Sequence, residues 1–305
     1  MDMTPNTDAS PTASPANPDW QGATGEGWAA NADHYEAMLA DVATALLVHA
    51  GFAPGERVVE IGCGSGRFAR RIAAAVAPGG TVLGIDISPA LARLARQEAT
   101  ETGTGNLQIL VADAQTAMPP GAPFDRLVSR FGVMFFDDPA AAMANLHAML
   151  APGGRLDFAV WAPIEGNPWA GAVMEVARTH LGLPTRDPRA PGPFAFSDEA
   201  YLHGLLAAAG FGAVRFTPWQ GRVQFGQPGV SAAEAAGLAV AGGTLAGPIQ
   251  GAGEEVKAAL LADLAARMQP YLTDAGVLMP ASVHLVTAIA SAGPARAGTE
   301  RDGAD

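Results

Sequence analysis

Cysteine is nearly absent: the chain of 305 residues contains one, Cys63. That excludes an internal disulfide framework, a cysteine-cluster metal site and chemistry that needs several thiolates. Basic residues are scarce as well. Lys and Arg number 18 against 30 Asp and Glu, for a formal net charge of −12. A nucleic-acid partner is disfavoured, because it needs clustered cationic residues. His180, His203 and His284 show no spacing that builds a metal triad, so no metal is expected. Long unbroken apolar runs are missing too: the most apolar stretches are alanine-rich and interrupted by Gly, Pro or charge, and no membrane insertion is expected. The opening MDMTPNTDAS has neither a basic start nor an apolar core, so no signal peptide is read and the expected location is cytoplasmic.

What is there is a globular composition, 49% hydrophobic and 16% charged, on a chain long enough to bury a sizeable core. Residues 1–19 are rich in Pro, Ser, Thr and Asn and read as a disordered tail. Residues 293–305 read as a flexible C-terminal tail, which leaves one domain over 20–292. Within it, short apolar runs alternate with helical patterns. Strands are expected at RVVEIG (57–62), TVLGIDI (81–87), LQILVAD (107–113), FDRLVSRF (124–131) and RLDFAVW (155–161). A helix follows Gly66 and stops at Pro78-Gly79-Gly80. Ser88-Pro89 starts another, and 138–150 forms a third.

Beyond Trp161 the pattern weakens. Residues 167–181 and 198–209 read as helices, 214–225 as a bent strand, 231–271 as a helical insertion and 282–290 as a final strand. Strands alternating with helices predict an α/β fold: a Rossmann-like, doubly wound, mostly parallel seven-stranded sheet with a helical insertion before the last strand. Residues 51–161 form the expected ligand-binding core and 162–281 a substrate or lid region.

In such sheets ligands bind beyond the carboxyl ends of the strands. The first strand runs into VVEIGCGSG (58–66), where glycines let the backbone turn sharply and approach a ligand. A dinucleotide fingerprint would place its third glycine at position 67, which is Arg67. The spacing is instead Glu60-x-Gly62-x-Gly64-x-Gly66, and two further acids, Asp86 and Asp113, end the next two strands.

This constellation resembles the first motif and following strand-end acids of the class I S-adenosylmethionine-dependent methyltransferases, over roughly residues 31–161. LAPGGRL (150–156) is similar to a turn of that family. FGVMFF (131–136) resembles, more loosely, the ubiquinone/menaquinone-biosynthesis subgroup. The resemblance implies S-adenosylmethionine as cofactor. The loop of Gly62, Gly64 and Gly66 would hold its methionine end, with Glu60 catching the charged amino group. Asp86, beside Ile87, would meet the ribose hydroxyls, and Asp113 with the Ala114 backbone would read the adenine.

Residues acting on the methyl acceptor carry no motif. His34 and Tyr35 lie in the segment before the first strand, which in this family often closes over the cofactor, and either is a candidate base or clamp. Arg130, at the end of the fourth strand, is a candidate for the methionine carboxylate or an anionic substrate. Phe131, Met134 and Phe135, and beyond the fifth strand Trp161, Glu165, Asn167 and Trp169, are candidates for the acceptor pocket. Ordinary core or surface placement competes with each. The expected function is methyl transfer to a small hydrophobic or aromatic metabolite. An NAD-dependent oxidoreductase, which Arg67 counts against, and a non-catalytic cofactor-binding regulator stay open, as does a homodimer paired through the last strand or the lid.

Overall fold

The computed structural model describes residues 18–185, 187–242 and 245–291. The expected tails therefore lie outside the described residues, except for Pro18 and Asp19. These two form a turn in which the Asp19 carboxylate accepts the Gly22 and Ala23 amides.

Three short helices, α1 (Ala23–Ala30), α2 (Ala32–Met38) and α3 (Ala40–Ala50), lead into β1 (Arg57–Ile61). Then come α4 (Arg67–Ala75), β2 (Thr81–Asp86), α5 (Pro89–Glu101), β3 (Leu107–Val111), β4 (Phe124–Arg130), α6 (Pro139–Ala148) and β5 (Leu150–Trp161). The caps explain the starts. Ser88 accepts the Leu91 amide ahead of Pro89, and Asp138 accepts the Ala141 amide ahead of Pro139. The second half adds α7 (Pro168–Leu181), α8 (Glu199–Ala208), β6 (Phe211–Phe225), α9 (Ala232–Val240), α10 (Ala246–Gln250), α11 (Glu254–Met268), β7 (Leu272–Thr273) and β8 (Gly276–Ala290).

The strands form one sheet in the order β3-β2-β1-β4-β5-β8-β6, with the two-residue β7 paired to β8. Pairings from β3 to β5 are parallel, while β8 runs antiparallel to both β5 and β6. This is the expected seven-stranded, mostly parallel architecture. The expected insertion is three separate helices, α9 to α11, between β6 and β8.

The central strands are apolar on both faces because helices cover both. Val58, Val59, Leu127, Val128, Leu156, Phe158 and Val160 are fully buried. β5 starts earlier than expected, at Leu150 and not at 155. Leu150 pairs with Phe124, and a register shift then lets the strand pass Pro152-Gly153-Gly154 and resume opposite Arg126 at Arg155. A charged knot crosses the inner strands. Fully buried Asp157 takes Arg126 at 2.8 Å, Arg155 at 2.7 Å and the Thr287 hydroxyl at 2.9 Å. The connections reverse direction between β1 and β4, so a cleft opens there at the carboxyl ends of the strands.

Candidate functional site

That cleft is a cavity of about 520 Å³. Its floor is the β1–α4 turn, Gly62 to Ser65. Its walls come from the ends of β2, β4 and β5, from α2 and the turn before α1, and from Phe225, Leu238, Ala239 and Gly242 of the second half. Pro18 and Asp19, expected in the tail, lie on this wall.

The glycines of the turn serve different ends. Gly64 has φ +54°, and a side chain built on it would meet nothing within 4 Å, so it leaves a bare backbone cradle facing the cavity. Gly66 starts α4, and a Cβ there would come within 2.8 Å of the Ala95 methyl, so its smallness lets α4 and α5 approach. Gly66 is not on the cavity wall, whereas Gly62 and Gly64 are.

The three strand-end acids separate into two kinds. Asp86 lines the cavity; its Oδ2 accepts the Gly64 amide at 2.7 Å and its Oδ1 the Ser88 amide at 2.8 Å. Burial pushes this carboxyl up, and the two amides oppose the shift without cancelling it. Asp113 stands exposed at the rim, accepting the Gln115 amide at 2.8 Å, with Ala114 and Ile87 beside it on the wall. Glu60 does not reach the cavity. On β1 it is 1% exposed, and its Oε2 has no partner among the described residues. Burial, which outweighs Arg130 and is reinforced by Glu36 and Asp86, raises its carboxyl well above the usual range. The expectation that Glu60 catches a charged amino group finds no open face.

A residue absent from the expectations stands near that place. Glu36 on α2 lines the cavity and bridges the glycine turn and β4. Its Oε1 accepts the Ser65 hydroxyl at 2.9 Å and Arg130 Nη2 at 2.7 Å, and its Oε2 accepts Arg130 Nη1 at 3.1 Å. Burial alone would raise the Glu36 carboxyl, but Arg130 and Ser65 outweigh it and hold it low. Arg67, at the position a dinucleotide fingerprint gives to glycine, ties α2 down from the other side through Asp33 at 2.5 Å and holds Glu98 at 2.8 Å. No sequence spacing marks Glu36, since one acid in a short amphipathic helix reads as a solvated face.

The rest of the wall is aromatic. Phe131, with φ +64°, stacks on Trp161 at 4.2 Å, and Trp169 meets Trp161 edge-on at 5.0 Å. Tyr35 stacks on Trp28 at 3.7 Å, and Trp20 packs on Phe135 at 5.0 Å. Trp20, Trp28 and Tyr35 all line the cavity, and their polar atoms are buried without partners among the described residues. Burial pushes the Tyr35 phenol up to about 12. His34 is off the wall, with burial lowering its pKa and Nε2 unpaired. Met134 and Phe135 line the cavity as expected, and Glu165 and Asn167 do not. Buried Asn167 instead staples the end of β5 to β8, donating to the Ala162 and Ser282 carbonyls at 3.0 Å each. Among the described residues no group of three or more His, Cys, Asp or Glu could hold a metal ion, and no helix is long and apolar enough to cross a membrane.

The chain is similar in sequence and in fold to known proteins. Residues 58–154 match the family described as a methyltransferase domain. The chain is 41% identical over 104 residues to aklanonic acid methyltransferase of Streptomyces sp. strain C5, covering 34% of this chain and 47% of that protein. It is 32% identical over 174 residues to demethylmenaquinone methyltransferase of Thermus thermophilus, covering 53% of this chain and 76% of that protein. The first curated relatives are matched over less than two thirds of their own length. In fold, the YcgJ protein of Bacillus subtilis superposes with a TM-score of 0.52 at 18% identity, over 83% of this chain and 100% of that one. The chain belongs to the class I S-adenosylmethionine-dependent methyltransferases.

Proposed function

We propose that this chain transfers a methyl group from S-adenosylmethionine to a small apolar or aromatic acceptor held in the same cavity. The observation that carries the reading is the continuity of one wall, from the acids at the ends of β2 and β3, over the bare backbone of Gly64, to the ring stack of Phe131, Trp161 and Trp169. A nucleoside needs acceptors for its hydroxyls and amino group beside a surface without side chains. A flat acceptor needs ring faces. Both occur in a cavity whose size falls within the usual range for small-molecule sites.

The residues fit the cofactor. Asp86 keeps lone pairs beyond those given to Gly64 and Ser88 and would hold the ribose hydroxyls. Asp113 would accept from the adenine amino group, with Ile87 and Ala114 along the base. Gly62 and Gly64 would admit the thioether side. When bound, S-adenosylmethionine supplies an electrophilic methyl group on a positively charged sulfur, which leaves as a neutral thioether. The protein therefore need not protonate a leaving group, and its part is to hold the acceptor in line. Positioning of that kind supplies about 7–11 kcal/mol when the geometry is held.

The second half of the chain serves as the acceptor lid, with Phe225, Leu238 and Ala239 closing the apolar end. Relatives named for aklanonic acid and for demethylmenaquinone support a polyketide or quinone-like acceptor. The test is incubation with S-adenosylmethionine and a panel of hydroxylated naphthoquinones and aromatic polyketides, read as S-adenosylhomocysteine and methylated product by mass spectrometry. Binding of neither S-adenosylmethionine nor S-adenosylhomocysteine at millimolar concentration would end the reading.

A further inference from the structure

The placement of the nucleoside leaves the α-amino-acid end of the cofactor to be accounted for, and Glu60, 1% exposed, is not on the cavity wall. Two opposite charges stand on the cavity wall beside the same turn. The Arg130 side chain is 9% exposed and that of Glu36 is 19% exposed; they face each other with no water layer between, and Ser65 of the turn holds Glu36 in place. A guanidinium has donors to spare for a carboxylate fork, and a carboxylate that already accepts three hydrogen bonds keeps a lone-pair direction for an ammonium.

We propose that Glu36 and Arg130 together read the α-amino-acid end of the cofactor, Glu36 taking the ammonium and Arg130 the carboxylate. Their mutual ion pair loosens into an alternating set of four charges. This rests on the placement of S-adenosylmethionine in the cavity proposed above. At this end of the cofactor the exchange is balanced, since a zwitterionic amino-acid group meets a neutral pair, and the only net charge added is that of the sulfonium. Glu60, 1% exposed, is not on the wall that the ammonium would meet. Because Glu36 rides on α2, the same contact fixes that helix over the site, alongside the Asp33–Arg67 tie.

The test is calorimetric titration of the full chain with three ligands: S-adenosylhomocysteine, its decarboxylated analogue, and methylthioadenosine, which lacks both charged groups. The wild-type protein is expected to prefer S-adenosylhomocysteine to methylthioadenosine by about tenfold or more. Glu36→Gln should bind methylthioadenosine as before and lose most of its preference for the two amine-bearing ligands. Arg130→Gln should lose the preference for S-adenosylhomocysteine over its decarboxylated analogue; if it does not fold, Arg130→Lys replaces it. Equal weakening of all three ligands in each variant would overturn the inference and leave the pair a structural latch. So would a wild-type protein that does not distinguish S-adenosylhomocysteine from methylthioadenosine, a result needing no variant. Tight methylthioadenosine binding in either case keeps the proposed function standing. Failure of all three to bind would remove both.

Discussion

Asp86 Oδ2 accepts the Gly64 amide at 2.7 Å, so the acid that ends β2 also braces the turn that follows β1. One side chain thus shapes the cradle and faces the space beside it. Asp86→Ala leaves the Gly64 and Ser88 amides without this partner and removes the proposed acceptor for the ribose hydroxyls. Hydrogen bonds to a charged group contribute about 1.5–3 kcal/mol each, so affinity for S-adenosylhomocysteine should fall at least about tenfold by calorimetry. Undiminished affinity would mean the nucleoside sits elsewhere.

Glu60 gives a pH signature. Its folded-state pKa is raised, chiefly by burial, so its contribution is full below the unfolded value near 4.5 and is lost as pH rises towards the folded value. Glu60→Gln keeps the shape and removes the titration. The variant's melting temperature relative to wild type should therefore climb from pH 5 to pH 8, as followed by thermal denaturation. A difference that stays flat over that range would show that Glu60 is ionised in the fold.

Asp157 tests the frame beneath the site. It is fully buried between Arg126 and Arg155 and accepts the Thr287 hydroxyl, joining β4, β5 and β8. Asp157→Ala breaks this buried network, leaving Arg126 to its Glu56 contact at 3.0 Å, and should cost about 3 kcal/mol in urea denaturation. A loss under about 1 kcal/mol, the level of a surface pair, would contradict the burial.

Tyr35 is informative through what its hydroxyl lacks. Oη is buried with no partner among the described residues, so Tyr35→Phe removes an unsatisfied group and should leave the melting temperature equal or higher. A fall of several degrees would mean that the hydroxyl is bonded in solution. Since the phenol titrates only at about 12, the wild-type rate should show no inflection from Tyr35 near neutral pH.

Much of the core was legible because the central strands are buried on both faces and must be continuous apolar runs. The caps at Ser88 and Asp138 announce the helices that follow them. The strand-end acids could be read for position but not for orientation. Val58 to Ile61 of β1 are buried on both faces, and that burial, which leaves Glu60 1% exposed, comes from the elements packed around the strand and not from its own residues. Glu36 was invisible because its meaning comes from Arg130, which chain folding brings to it from β4. The start of β5 is not legible because Pro152-Gly153-Gly154 has the residues of a stop, and the register shift between Phe124 and Arg126 absorbs it within the strand. The second half was read only coarsely, since its alanine-rich helices lack the sharp periodicity that fixes ends.

The most direct measurement is a crystal structure of the full chain with S-adenosylhomocysteine. The expected density runs along the turn from Gly62 to Ser65, with the ribose hydroxyls on Asp86, the adenine against Asp113 and Ala114, and the sulfur directed towards the Phe131–Trp161 stack. A nucleoside bound outside this cleft, or one inside it that leaves both Asp86 and Asp113 without contact, would refute the placement on which the proposed chemistry depends.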